Sequence, residues 1–243
     1  MSLKKLPSND YPVFEFEIPS TKKVYKFRPF LVKETKALLI AQGTEDKTVM
    51  VNTLKSVLKS ACLDKEFDPD TLAIFDCEFL LLKLRSVSVG NFVTVMIKCD
   101  GKHENGVGKD CRVNVDLNNI EVVGLEEKNK EVRVSDNSIV YLRYPSIETL
   151  SLLKDNENLS MDELMKIVIS CVDKIFINDE MYAHDELEES DIENWINMLP
   201  NEGYTKLVDF FSSIPYVRVK VEFDCPICKK HNVRYLTGLE VFF

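Results

Sequence analysis

Between residues 13 and 27 apolar and polar positions alternate. Val13, Phe14, Phe16 and Ile18 lead into Pro19-Ser20-Thr21-Lys22, and Val24, Tyr25 and Phe27 lead out, which predicts two short strands joined by a turn. From Lys33 the period changes to three and four: Leu38, Leu39 and Gln42, then, after Gly43-Thr44, Met50, Leu54, Val57, Leu58, Ala61 and Cys62. That spacing predicts two core-facing helices. Asp68-Pro69-Asp70 places a side-chain acceptor before a proline, the arrangement of a helix start, and the run from Leu72 through Phe79, Leu80, Leu81, Leu82 and Leu84 leaves almost no polar face. The expectation is a central buried helix ending before Gly90.

Alternation returns at Phe92, Val93, Val95 and Ile97, running into Cys99, and at Cys111, Val113, Val115 and Leu117. Glu131 to Ser135 and Ile139 to Tyr144, with Asp136-Asn137 between them, add two strands to an antiparallel region. After Tyr144-Pro145-Ser146 the pattern turns helical. Ser160 with Glu163 and Ser190 with Glu193 read as capping boxes. One stripe comprises Leu164, Ile167, Val168, Cys171, Val172 and Ile175, a second Ile192, Trp195, Ile196 and Leu199, and a third helix around Leu207 to Phe211 is closed by Pro215. Val217, Val219, Val221 and Phe223 then alternate into Cys225, and Val233, Tyr235 and Leu236 lead away from it. The expected fold class is α+β: an N-terminal β-hairpin and helices, an antiparallel β region, an acidic helical segment and a C-terminal zinc-knuckle-like hairpin. The segments are 1–145, 146–215 and 216–243, forming one compact unit.

Charge sharpens this division. The chain of 243 residues carries a net charge of −9, yet residues 146 to 203 hold fifteen acids and three bases, so the rest is slightly basic. Such a segment suits a solvated face or a basic protein partner and disfavours nucleic acid or anionic membrane. No apolar run is long enough to span a bilayer and the opening MSLKKLPSND lacks the apolar stretch of a signal peptide, so an intracellular protein with reduced thiols is expected.

Seven cysteines are present. Cys225-Pro226-Ile227-Cys228 is flanked by strands on both sides, whereas a redox pair needs its first thiol at a helix N-terminus. Strand, Cys-x-x-Cys turn, strand is the geometry of a zinc knuckle, which supplies two ligands of the four that structural zinc takes. Cys99 and Cys111 stand at the mouth of one polar loop, DGKHENGVGKD, and are placed to supply the other two. The expected site is Zn²⁺ on Cys99, Cys111, Cys225 and Cys228, with His103 or His231 as a substitute ligand; four free thiols is the alternative. Cys62, Cys77 and Cys171 fall on helices as small apolar residues.

Catalytic signatures are missing: there is no Walker loop, H-E-x-x-H, G-x-S-x-G or G-x-G-x-x-G after a strand. His184 beside Asp185 and Glu186 is the only candidate base singled out, and no small-molecule substrate is expected. Arg218, Lys220, Lys229, Lys230, His231 and Arg234 with Tyr216 and Tyr235 form a modest basic patch, which keeps open a zinc-knuckle nucleic-acid-binding module.

Several phrases carry a resemblance: IPSTKKVYKFRPFLVKETKALLIAQ (18–42), FDCEFLLLKLRSVSVG (75–90), VDLNNIEV (115–122), RYPS (143–146) and the ending CPICKKHNVRYLTGLEVFF. Together they resemble the baseplate hub family of T-even-like contractile-tailed bacteriophages. Arg28, Pro29, Phe30, Cys225, Cys228, Leu236, Gly238, Leu239, Phe242 and Phe243 carry it. The resemblance implies a non-enzymatic component that builds or joins the baseplate hub. Its partners would be other baseplate or hub proteins, and its place the host cytoplasm during assembly or the virion tail. Phe242 and Phe243 are expected to pack into the core.

Overall fold

The structure, a computed structural model, describes residues 10–44, 46–103, 108–125, 130–152 and 160–238. Val107, Leu239, Val241, Phe242 and Phe243 lie outside the described residues. Strands β1 (Phe14–Glu17) and β2 (Val24–Phe27) pair antiparallel, Phe14 opposite Phe27 and Glu17 opposite Val24. Ile18, Phe27 and Phe67 are fully buried, and the Phe27 and Phe67 rings meet edge to face with centroids 5.3 Å apart. Helices α1 (Val32–Gln42) and α2 (Lys47–Ala61) follow, the second capped by Asp46, whose side chain accepts from the N–H groups of Thr48 and Val49. Val51, Leu54, Val57, Leu58 and Ala61 form the buried stripe of α2, as the spacing predicts. On α1 the outcome differs. Leu38 faces inward, but Leu39 and Ile40 stand in solvent, because a helix with only one packed side buries every third or fourth position and its apolar run is longer than that.

The β2–α1 turn is held by a buried ion pair. Arg28 Nη2 donates to Glu34 Oε1 at 2.9 Å and to the Ser60 carbonyl at 2.8 Å, while Glu34 also accepts from Ser60 Oγ (2.7 Å) and the Leu31 N–H (2.8 Å). Burial by itself would push Glu34 up, but the hydrogen bonds from Arg28, Ser60 and Leu31 outweigh it and hold the carboxyl at about 2.

Asp68 accepts from the Asp70 N–H over a single 3-10 turn, Pro69–Thr71, and does not start the central helix; α3 spans Ile74–Val89. The delay has a tertiary cause: Ala73 is extended, bridges to Ser146, and Ile74 N–H donates to the Pro145 carbonyl at 2.9 Å. Asp76 caps α3 instead and, wholly buried, also accepts from Ser20, joining the β1–β2 turn to the helix. Leu80, Leu81 and Leu84 face the core of β1, β2 and α2, while Phe75 and Leu82 face a second core, which explains a helix without a polar side.

That second core begins with β3 (Phe92–Lys98) and β4 (Asp110–Asp116), paired from Phe92–Asp116 to Lys98–Asp110, and with β5 (Ile120–Val123), a strand that the sequence pattern missed. Next come β6 (Glu131–Ser135), β7 (Ser138–Leu142), α4 (Thr149–Leu152), α5 (Met161–Cys171), β8 (Val172–Ile177), β9 (Glu180–Ala183), α6 (Glu189–Asn197) and α7 (Asn201–Phe211), of which all but α4 and β9 supply a third core. Its sheet runs β6-β7-β8-β9, all antiparallel, against Val168, Ile192, Ile196, Leu207 and Phe210. Two expectations are corrected here. The stripe through Val172 and Ile175 is not one helix: the chain passes from α5 straight into β8, because Ile175 and Ile177 on alternate positions cover the β7 side of the core. Ser190 does not cap α6, which starts one residue earlier; the Ser160–Glu163 box at α5 is formed, with Ser160 N–H on Glu163 Oε2 at 2.8 Å and Glu163 N–H on Ser160 Oγ at 3.3 Å. Finally β10 (Tyr216–Asp224) and β11 (His231–Thr237) return to the second core, in the order β11-β10-β5.

Candidate metal centre

Both ends of the second core deliver thiols to one point. The β3–β4 pairing places Ile97 opposite Cys111, and Cys99 N–H donates to the Lys109 carbonyl at 3.0 Å, so the loop leaves and re-enters with both sulfurs at its neck. In the β10–β11 turn, Cys225 N–H donates to the Lys230 carbonyl and Lys229 N–H to the Cys225 carbonyl, each at 3.0 Å, with Lys229 at φ 59° to complete the reversal. Cys99 Sγ then lies 3.6 Å from Cys228 Sγ, and Cys111 Sγ 3.7 Å from Cys225 Sγ. A tetrahedral zinc with Zn–S bonds of about 2.3 Å separates its sulfurs by about 3.8 Å. Cys99, His103, Cys225 and Cys228 form a group able to hold a metal ion, their ligand atoms all within 4.8 Å of one another. His103 Nε2 is 3.9 Å from Cys225 Sγ. Cys111 is not a member of this group: it lies 3.7 Å from Cys225 Sγ and is buried, as are Cys99 and Cys225. His231 is elsewhere: its Nδ1 pairs with Asp224 at 2.9 Å on the surface, so it does not substitute for a sulfur.

The surroundings treat these sulfurs as acceptors. Gly101 N–H donates to Cys99 Sγ at 3.1 Å, and Asn232 Nδ2 lies 3.5 Å from the same sulfur. The N–H of Cys228, reinforced by that of Ile227, draws the Cys225 thiol down to about 6, whereas burial and the adjacent Cys225 sulfur push Cys111 up to about 11. A cation at the centre would favour the thiolate on all of them. The remaining thiols behave differently. Burial raises Cys62, Cys77 and Cys171, and none of the three joins the cluster.

Sequence reasoning missed the residues that weld the two loops. A Cβ on Gly101 would come within 2.4 Å of Cys228 Sγ, and one on Gly108 within 2.2 Å of the Cys99 carbonyl oxygen, so both positions require the close approach that only glycine allows. The glycine two residues after Cys99 was the available signal. Asp100 N–H donates to Asn232 Oδ1 at 3.0 Å, the Asp100 carbonyl accepts from Lys230 Nζ at 3.1 Å, and its carboxylate pairs with Arg234. The basic patch is thereby largely occupied: Arg218 pairs with Glu121, Lys220 with Glu222 and His231 with Asp224.

His184 lines a groove of about 830 Å³ together with Arg143, Lys130 and Glu189. Its Nδ1 is buried without a hydrogen-bond partner, and burial, aided by Arg143, draws it below the ordinary histidine value. A histidine beside two carboxylates is by default solvated, whereas this one is half-buried. Among the described residues no nucleophile bonds to it, and the groove supplies no pair of base and nucleophile. No helix of the described residues is long and apolar enough to cross a membrane.

A family model described as T4 bacteriophage base plate protein matches residues 11–243. No curated protein and no solved structure matches the chain.

Proposed function

We infer the role of this chain from its membership: it belongs to the T4 bacteriophage base plate protein family, whose model spans nearly all of its length. We propose that it is a non-enzymatic structural or assembly component of the baseplate hub, its β3–β4 and β10–β11 hairpins stapled by one zinc ion on Cys99, Cys111, Cys225 and Cys228. The observation that carries the metal is the pair of sulfur separations, 3.6 and 3.7 Å, contributed by turns over a hundred residues apart. Four thiolates leave no coordination position for substrate or water, so the ion stabilises rather than reacts. His103, 3.9 Å from Cys225 Sγ, is then a neighbour of the site and not a ligand.

The segments 1–145, 146–215 and 216–243 act in this reading as one cooperative unit, since β7 pairs with β8 across the first boundary and β5 with β10 across the second. Assembly takes place in the host cytoplasm, with other baseplate or hub proteins as partners. Against the nucleic-acid alternative stand the ion pairs that occupy Arg218, Lys220 and Arg234.

Native and denaturing mass spectrometry of the purified chain tests the metal. One zinc per chain, lost in Cys225→Ser and in Cys111→Ser but kept in His103→Ala, is expected; a metal lost in His103→Ala and kept in Cys111→Ser replaces the four-sulfur set by the three-sulfur, one-imidazole set. Capture of hub subunits from infected cells by the tagged chain tests the role, and a chain that captures only wedge subunits overturns the hub assignment.

A further inference from the structure

A pocket of about 190 Å³ opens between α1 and the end of α3, lined among others by Phe30, Leu38, Leu39, Arg85 and Val89. Its rim is apolar where a helix normally meets water: Leu39 and Val89 are 61% and 66% exposed, and Ile40 beside them 74%. Exposed apolar groups clustered around a concavity mark a contact surface more often than scattered ones do. The pocket also contains one unsatisfied donor, on the half-buried Arg85. Among the described residues Arg85 Nη1, which is buried, finds no hydrogen-bond acceptor and no ion pair reaches this guanidinium, in contrast to the fully engaged Arg28. Burial lowers its proton affinity. A buried donor without an acceptor costs free energy that an incoming acceptor recovers.

We propose that this pocket docks a segment of another baseplate protein presenting one bulky apolar side chain with a carboxylate beside it. The side chain fills the space between Leu38, Leu39 and Val89, and the carboxylate accepts from Arg85. Charge complementarity chooses this occupant: a purely apolar segment would leave Nη1 unmet, and a basic one would add a second cation. That the partner belongs to the baseplate rests on the assembly reading above; the chemistry of the pocket does not, and it lies apart from the thiol cluster.

The probes are 4-phenylbutyrate and its neutral counterpart 4-phenylbutanamide, titrated into the full chain and followed by amide NMR shifts. The acid is expected to move the amides of Leu38, Leu39 and Val89 and to bind about tenfold tighter than the amide, the ratio that one charge-assisted hydrogen bond supplies. Arg85→Met, which keeps the apolar stem, should abolish that preference while retaining amide binding and the folded spectrum; Leu39→Lys should weaken both probes. Equal binding of acid and amide, an unchanged preference in Arg85→Met, or no shifts at these residues overturns the proposal. A wild-type dimer in sedimentation that Arg85→Met dissolves also overturns it, in favour of a second copy of this chain. None of these results bears on zinc content or hub capture.

Discussion

Two regions keep polar or reactive groups out of water, and they are closed differently. Around Arg28, every partner is protein: the guanidinium reaches Glu34, Ser60 and the Pro29 carbonyl, and Glu34 is matched in turn by Arg28, Ser60 and the Leu31 N–H. Around Cys225, sulfurs face sulfurs at contact distance, with few donors between them. The first region is complete as folded. The second has a geometry that makes sense around a central atom, so its stability should depend on something that the first does not need.

The largest effect expected from this contrast is on metal removal. A strong chelator, or Cys225→Ser, should remove amide-exchange protection from residues 92–98, 110–116 and 216–237 while leaving α2 and the first half of α3 protected; structural zinc in small finger peptides is worth about 10 kcal/mol or more. Equal protection with and without chelator breaks the comparison. Next comes Arg28→Met, which leaves the Glu34 carboxylate buried without its cation and should cost about 3–5 kcal/mol in denaturant unfolding, with zinc content unchanged.

A third test is acid titration. Glu34 is held at about 2 against an ordinary 4.5, so its contribution is present above pH 4.5 and is lost as pH falls towards 2. That difference corresponds to about 3 kcal/mol, and Glu34→Gln should flatten this part of the stability profile. Glu78 runs the other way. Burial raises it to about 7, so its contribution is present below pH 4.5 and is lost as pH rises through 7; Glu78→Gln should gain stability at pH 8 relative to the parent. The smallest effect is that of Gly101→Ala, where a methyl group meets Cys228 Sγ: a cost of about 1–3 kcal/mol and weaker zinc retention in competition with a chelating dye.

Much of this was legible in the chain. Alternation located β1 to β4 and β10 to β11, the three-four spacing located α2, which buries one face, and the unbroken apolar run located α3, which is buried between two cores. The thiol pairs were readable from strands ending in cysteine. What escaped was set by distant contacts. The strand β5 is four residues long and gains its partner only when β10 arrives about a hundred residues later. The β8–β9 hairpin hides in an acidic stretch, and Val172 and Ile175 fit a helical period as well as a strand's. The α3 start was displaced by Pro145, which no local signal announces. Asn232 reaches a sulfur of the other hairpin and Gly101 leaves room for the Cys228 sulfur, contacts that exist only in three dimensions.

The span between paired thiols also sets a clock. Cys111 meets Cys225, 114 residues further on, and Cys99 meets Cys228 after 129. At a synthesis rate of about 5–20 residues per second, the early pair waits on the order of ten seconds before its partners leave the ribosome. During that time β3 and β4 can form a hairpin, but their open end stays unlocked and β5 has no neighbour. A chain stalled before Cys225 therefore differs from one extended past Cys228 by its two accessible sulfurs, and the emergence of Cys228 is the moment at which the two hairpins can first bring their thiols together.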